Sequence, residues 1–264
     1  MNESSEQIQR LTKLANEFSK TMRPHAENIT KRMKPVLEQI ELVSKAYAPV
    51  LDRLKVIAVG ITKKAKKWQE DRKQDVVVMA ESGWYPNLYT FYYEPEEEVE
   101  SLDKLMFLHL EGSWNEITES ILSGYPDRRN ILETAFKLHQ EGNYVASIPL
   151  FYSQADGICC EQLKSFLFTN NKVKEKLDVL VESELIEANL LTGIFLEPFK
   201  TKNHHNQGIS RSGPSHKKKA PNRNGILHGH RKHLDYGTKT NSLKCFSLLA
   251  FVVFVMNDLI KAEE

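Results

Sequence analysis

The sequence has few cysteines, no long uninterrupted apolar run and, over one extended stretch, no acidic residue. Its three cysteines, two of them adjacent at positions 159 and 160, form neither a disulfide framework nor a CxxC zinc pattern, which fits a reducing cytosol. The first ten residues lack the basic-then-apolar order of a secretory signal peptide, so we expect none. The most apolar segment, residues 245–260, is shorter than the roughly 20 residues that a membrane-spanning helix needs. We therefore predict a buried helix there, with a membrane re-entrant segment as the alternative, in a cytoplasmic protein.

The acid-free stretch is residues 198–234, in a chain whose formal net charge is only +1. Six of the nine histidines fall in it, together with nine lysines and arginines. A positive field concentrated in one segment suits a phosphate-bearing partner, whereas a solvated basic loop is the alternative. Residues 201–222 are rich in Gly, Pro, Ser and Asn, which predicts a long loop.

The first 70 residues predict a helical arm. Apolar residues alternate in steps of three and four over five heptads, as in the seam of a coiled coil or a long helical hairpin. Prolines at 24, 35 and 49 interrupt the pattern, so the arm is bent or cut into consecutive helices. Its simplest role is interaction or dimerisation. The two registers are Met33, Ile40, Tyr47, Leu54, Ile61 and Trp68 in one, and Val36, Val43, Val50 and Ile57 in the other.

The rest of the chain predicts further helices. Residues 74–126 begin with a β-branched and aromatic segment broken by glycine and proline, which we interpret as a connector rather than a strand pair, and end in helical periodicity. From Asp127, which we expect to cap a helix, one helical segment follows another. We therefore predict an all-α protein with a helical heptad arm at 1–72, a connector at 73–126 and a bundle of four or five helices at 127–264.

The segment NRNGILHGHRKHLDYG, residues 222–237, holds the residues most suited to chemistry. An imidazole at His228 can move a proton near neutral pH, and the guanidinium of Arg223 can hold a phosphate oxygen. Together they suffice for RNA cleavage through the 2′-hydroxyl, a reaction that needs no metal. Two alternatives stay open: a structural basic turn, and a metal site. The metal site is the weaker, because the histidine spacing does not match known metal motifs; its candidate ligands are His204, His205, His228, His230 and His233.

The last 130 or so residues, from about 127 onward, resemble a HEPN domain. The family's mark is Arg, four to six residues, then His, usually with a polar residue after the Arg; here these are Arg223, Asn224 and His228, followed by Gly229. Two further segments resemble a recurrent bacterial HEPN subgroup: LHQEGNYVASIPLFYSQADGI at 138–158, and RNGILHG with the downstream YGT turn and NSLK helix start. The resemblance implies a compact helical bundle.

HEPN domains act as metal-independent endoribonucleases in toxin–antitoxin, abortive-infection and RNA-guided defence systems. By this resemblance Arg223 and His228 are catalytic, Asn224 is the polar motif position after the arginine, and Asp156 matches an acidic position that orients the site; a surface carboxylate is the alternative for Asp156. In HEPN domains the active site forms between two protomers, so the resemblance implies a homodimer.

From the motif residues and from the HEPN resemblance, we expect RNA as the partner, with an antitoxin or defence-system partner in addition. We expect no cofactor, no metal and no membrane. The alternative is a non-catalytic HEPN module that binds a nucleotide, an RNA or a protein. Tyr236 and Asn241 are interpreted as residues that fix the turn before the last helix. The residues expected to grip the RNA backbone are Lys217, Lys218, Lys219, His230, Arg231 and Lys232, with His233 added to the same basic rim.

Overall fold

The structure is a computed structural model, and it describes residues 58–91, 93–95, 98–169, 172–183, 186 and 190–260, with scattered positions between 31 and 55. The chain divides into two compact units, Met1–Lys64 and Ala65–Glu264. The second unit therefore contains both the predicted connector and the predicted bundle. The described residues are helical with no strand, and their only β contact is an isolated bridge between Ile186 and Ile260, so the prediction of an all-α bundle is confirmed.

In the first unit the described positions from 31 onward are helical. Of the predicted heptad positions, Met33, Val36, Val43 and Ile61 are exposed, with 46–62% of their surface in contact with solvent. Ile40, Tyr47, Val50, Leu54 and Ile57, like Pro24 and Pro49, lie outside the described residues.

In the second unit residues 65–81 are helical, and this segment is called α1; the residues before it, from 58, are helical as well. The bounds of the others are α2 Leu102–Gly112, α3 Trp114–Gly124, α4 Arg129–Gln140, α5 Tyr144–Leu163, α6 Lys172–Glu182, α7 Leu190–Phe195, α8 Glu197–Lys200, α9 Pro214–Lys217, α10 Arg223–Leu227 and α11 Lys239–Phe254, the last continuing in a π-helical turn, Val255–Leu259. Short 3₁₀ turns lie at Leu88–Phe91, Pro126–Arg128, His204–Asn206, Ile209–Arg211 and Arg231–His233.

Helix α11 is the centre of the bundle, and α5 packs along it; α4 packs on α5 and also reaches α11, where His139 bonds to Ser242 at 2.8 Å. Every residue of α11 from Ser242 to Phe254 is buried, which confirms the prediction of a buried helix. Lys239–Asn257 is long and apolar enough to cross a membrane by composition alone, but it forms this core. Its Phe246 ring stacks on Trp114 at 4.3 Å between ring centroids. Burial of each such side chain contributes about 1.5–3 kcal/mol.

One local prediction was wrong. Asp127 does not cap α4, because the chain first makes a 3₁₀ turn over Pro126–Arg128 and the helix begins at Arg129. Residues 201–222 connect α8 to α10 as the predicted long loop, but the loop is compact: it contains two 3₁₀ turns and α9, in which His204, His205 and His216 are buried. Composition does not register the tertiary contacts that make the loop compact.

The turn before α11 is fixed as the sequence indicated. The Tyr236 hydroxyl donates to the Val145 carbonyl at 2.9 Å, and the Asn241 amide donates to the Tyr236 carbonyl at 2.9 Å. Thr238 caps α11, since its hydroxyl accepts from the Asn241 N–H. These bonds set the direction in which the chain leaves the motif segment.

Candidate functional site

Helix α10 is short, and its first residue is Arg223. Asn222 caps it: its side-chain oxygen accepts from the Gly225 N–H at 2.6 Å, and its side-chain nitrogen donates to the Gln207 carbonyl at 2.6 Å. At Gly225 any side chain would overlap the ring of His233, so the absence of a Cβ lets that histidine pack against the helix. The cap and the glycine together fix where Arg223 and Asn224 point.

Arg223 is held by three groups from different parts of the unit. Its Nη2 lies 3.3 Å from Oδ2 of Asp156 on α5, its Nη1 donates to the Asn224 side-chain oxygen at 3.3 Å, and its guanidinium carbon sits 5.0 Å from the centroid of the Phe168 ring. The Arg223 side chain remains 26% exposed. A planar cation between a carboxylate and an aromatic face keeps one orientation, which suits two-point contact with a phosphate.

Asp156 is 9% exposed, so it is not a surface carboxylate. Burial raises its pKa, and the nearby Arg223 guanidinium, with backbone N–H groups at Phe168 and Leu167, acts in the opposite direction. Because burial outweighs the attraction, removal of Arg223 would leave a carboxylate with a costly negative charge. The contact makes Asp156 the group that orients Arg223.

Asn224 joins the motif to the folded segment that precedes it. Its side-chain nitrogen donates to Oδ1 of Asn206 at 3.1 Å and to the Gln207 carbonyl at 3.4 Å. Asn206 in turn donates to the Phe168 carbonyl at 2.7 Å. Asn206 therefore connects Phe168, whose ring lies under Arg223, to the side-chain amide of Asn224.

His228 is the C-cap residue of α10, and it is exposed. It faces an open groove of about 610 Å³. Five residues along a helix correspond to a rotation of about 140°, so Arg223 and His228 leave α10 in different directions. The groove brings together Asn224 and His228 but is not lined by Arg223; its lining is Ile209, Ser210, Asn224, His228, His230 and Lys232.

The cations predicted to grip RNA fall into two groups. Lys218, Lys219, Arg231 and Lys232 are exposed, and His230 is half-buried. Lys217 pairs with Asp235 at 2.7 Å. The inclusion of His233 in the basic rim was wrong: the residue is 2% exposed and packs against Gly225.

A buried lysine that the sequence did not single out holds this region to the core. Lys244 of α11 is 2% exposed, and its Nζ donates to the carbonyls of Ser82 at 2.8 Å, Lys219 at 2.7 Å and Lys218 at 3.4 Å. Burial lowers its pKa, while Asp103, 3.8 Å away, acts the other way. Lys244 thus joins the turn after α1 to the segment that leads into α10. An isolated lysine in an apolar run was the only available signal.

A second buried anchor lies directly beside the first. His205 has no exposed surface, and its ring lies between the Gly83 carbonyl at 3.0 Å and the Tyr152 hydroxyl at 2.7 Å. Burial lowers its pKa to about 3, so the ring is neutral; Nε2 must carry the proton, because a carbonyl can only accept. The Tyr152 oxygen also lies 2.9 Å from the Pro221 carbonyl. Tyr152 and His205 therefore hold the backbone at Pro221, two residues before Arg223, against the core.

The histidines proposed as metal ligands lie in the part of the chain that the structure describes. Among the residues that the structure describes, no group of three or more His, Cys, Asp or Glu side chains is placed to hold an ion. The candidate histidines do not converge on one point: the rings of His230 and His233 lie 5.9 Å apart between centroids, whereas His204 lies beside His216 and His205 bonds to Tyr152.

Comparison of the chain with models of protein families, with curated proteins and with solved structures gave no match.

Proposed function

We propose that this protein is a metal-independent endoribonuclease of the HEPN type, acting in the cytoplasm as a homodimer in phage defence or toxin-like growth control. The observation that carries the proposal is the Arg223–Asp156 pair. The two residues are 67 positions apart in sequence, and the HEPN resemblance alone assigns both to one site; in the fold, Nη2 of Arg223 lies 3.3 Å from Oδ2 of Asp156. If the Arg-x4-His pattern had arisen by chance, there would be no reason to expect Asp156 beside Arg223.

The chemistry follows from the two motif side chains. One imidazole removes the proton from a ribose 2′-hydroxyl, the 2′-oxygen attacks the adjacent phosphorus, and a second imidazole protonates the departing 5′-oxygen. Arg223 stabilises the charge that develops on the phosphorane oxygens. The products are a 2′,3′-cyclic phosphate and a 5′-hydroxyl. Lys232, which lines the groove with His228 and His230, neutralises a neighbouring phosphate.

A second protomer supplies what one α10 lacks. Arg223 and His228 diverge along the helix, so a single chain does not direct both at one phosphate. Beside the motif, Leu227 and Leu234 are 43% and 69% exposed, and such side chains support a protein contact at this edge. Two copies joined there would provide two imidazoles, one as base and one as acid.

The test compares variants at neighbouring histidines of the motif. Wild-type protein in EDTA should cut a single-stranded RNA, His228→Ala should lose about 10²-fold or more of that rate, and His230→Ala should lose far less. Arg223→Lys should also be impaired, since an ammonium cannot make the planar contacts. Equal rates for wild type and His228→Ala would refute the proposal. In cells, induced expression should arrest growth and fragment RNA with the wild type only; an antitoxin or defence partner would relieve this effect.

One observation favours the alternative of a non-catalytic module that binds a nucleotide, RNA or protein partner. The guanidinium of Arg223 is engaged within the chain by Asp156, Asn224 and Phe168, and the residue does not line the groove. In that case Arg223→Ala weakens RNA binding, and wild-type protein gives no cleavage product under any condition in which it binds RNA.

A further inference from the structure

A cavity of about 570 Å³ lies between α6, α8 and the buried face of α11, apart from the groove that contains His228. Its volume falls within the roughly 300–1,000 Å³ typical of small-molecule sites. Three lysines line it: Lys174 on α6, Lys200 at the end of α8, and Lys202 just after it. No aspartate or glutamate is among the lining residues. The cavity therefore favours an anion.

The charge of these lysines is only weakly compensated. Lys174 pairs with Asp178 at 2.9 Å and Lys200 pairs with Glu197 at 2.9 Å, both within one turn of their own helices, with 22–45% of each side chain exposed. Such pairs contribute little and exchange readily for a better partner. Lys202 is exposed, and its positive charge contributes to lowering the pKa of His204.

The floor of the cavity is aromatic. Phe251 of α11 lies 5.3 Å from Tyr85 and 5.0 Å from Phe199, measured between ring centroids, and all three residues line the cavity. Leu248 continues this surface. An apolar floor beneath a cationic rim suits a ligand with a flat apolar part and an anionic group.

The walls carry amides rather than more aliphatic side chains. Asn203 uses its side-chain oxygen to cap the His204–Asn206 turn by accepting from His205 N–H at 3.0 Å, which leaves its NH₂ group to donate. Gln207 and Thr169 also line the cavity. Amide and hydroxyl groups match the polar edge of a heterocycle, whereas an acyl chain would leave them unsatisfied.

We propose that this cavity binds a nucleoside phosphate, with the phosphate against Lys174, Lys200 and Lys202 and the base on the aromatic floor. The ligand is a free nucleotide or one nucleotide of an RNA strand. Asn206 lines the cavity and also accepts from Asn224 of the motif, so an occupied cavity contacts the wall of the groove that contains His228. The inference goes beyond ribonuclease activity and stands without it.

The test is calorimetric titration of the full-length chain with adenosine 5′-monophosphate and uridine 5′-monophosphate, each beside its nucleoside and beside inorganic phosphate. We expect at least one monophosphate to bind, and its nucleoside and phosphate alone to bind at least about tenfold more weakly, because each provides half of the contacts. No binding of either monophosphate at about 1 mM, a free energy of about −4 kcal/mol, would overturn the proposal.

Two variants localise the binding. The triple change Lys174→Gln, Lys200→Gln and Lys202→Gln should weaken binding at least about tenfold, as should Asn203→Asp, which retains the cap but places a carboxylate in the wall. The matched control removes the same charge from Lys104, Lys137 and Lys176, which are exposed and do not line the cavity. Unchanged binding by the triple variant, or equal loss in the control, would contradict the assignment.

Two further experiments distinguish a free nucleotide from a nucleotide of an RNA strand, and the cavity proposal from the ribonuclease proposal. A single-stranded RNA that displaces the bound monophosphate identifies a nucleotide of the strand as the ligand; RNA that binds without displacing it identifies a free nucleotide. His228→Ala should bind the monophosphate as the wild type does. If no RNA is ever cut while the monophosphate binds, ribonuclease activity fails and the cavity assignment stands; cutting without monophosphate binding gives the reverse.

Discussion

Buried neutral histidines should make this protein sensitive to mild acid. His109, His139 and His205 are 1%, 5% and 0% exposed, and burial lowers the pKa of the first two to about 4 and that of His205 to about 3, from an ordinary value of 6.5. The unfolded chain takes up a proton at each histidine as the pH falls below 6.5, whereas the folded chain does not until the pH is near 4 or below. The stabilisation is therefore complete above pH 6.5 and is lost as the pH falls toward 4.

The size of the effect follows from these values. Each histidine removes about 1.4 kcal/mol of unfolding free energy per pH unit in this window. At about pH 5, some 1.5 units below the unfolded pKa, the loss is about 2 kcal/mol per histidine and about 6 kcal/mol for three. Domains of this kind are stable by about 5–15 kcal/mol, so we expect the folded state to be marginal near pH 5.

The assay is urea unfolding followed by circular dichroism between about pH 8 and pH 5. His205→Gln, whose amide can donate to the Gly83 carbonyl, should reduce the slope of unfolding free energy against pH by about 1.4 kcal/mol per unit. Tyr152→Phe is the matched control: it removes the hydrogen bond to the same ring but no titrating histidine, so it should lower stability with the slope unchanged. A flat profile between pH 7 and 5, or an unchanged slope in His205→Gln, would refute the reasoning.

Three more predictions concern the scaffold and the site. Lys244→Met should lower the free energy of unfolding in urea by about 3 kcal/mol or more, because it leaves the carbonyls of Ser82 and Lys219 without a donor. Lys239→Met, on the exposed first turn of the same helix, should lower it by less than about 1 kcal/mol. Equal losses would contradict the role of Lys244 as a buried anchor. Gly83→Ala should lower the free energy of unfolding by about 3 kcal/mol, since its φ is +79° and a Cβ would overlap the Lys219 carbonyl. Gly142→Ala should lower it by about 1 kcal/mol, since its φ is +76° and nothing lies within 4 Å of a Cβ there. Similar losses would show that Gly83 does not lie tightly against the Lys219 carbonyl. Asp156→Asn should slow RNA cleavage about tenfold or more by freeing Arg223, while Asp235→Asn should not; unimpaired Asp156→Asn would remove its orienting role.

The sequence predicted those parts of the fold that depend on local pattern. Apolar runs and their periods located the helices, and the long apolar segment ending near Asn257 was interpreted correctly as core. The sequence did not predict the fold of residues 201–222, because their order depends on His204, His205 and His216 packing against distant elements rather than on any repeating pattern.

The same limit applies to the candidate site. The HEPN resemblance named Arg223, Asn224, His228 and Asp156, and the fold places Asp156 against Arg223 and Asn224 beside His228. The resemblance gave no indication that Arg223 would be held away from the groove that contains His228. The buried amine of Lys244 was equally invisible, since a lysine in an apolar helix carries no local sign of the three carbonyls it meets.

The measurement that most directly tests ribonuclease activity uses two end-labelled RNA oligonucleotides of one sequence, one of them with every 2′-hydroxyl methylated. Incubated with wild-type protein in EDTA, the unmodified RNA should be cut to fragments ending in a 2′,3′-cyclic phosphate, and the methylated RNA should remain intact, because the attacking oxygen is blocked. Cleavage of both RNAs, or of neither, would contradict the role proposed for Arg223 and His228.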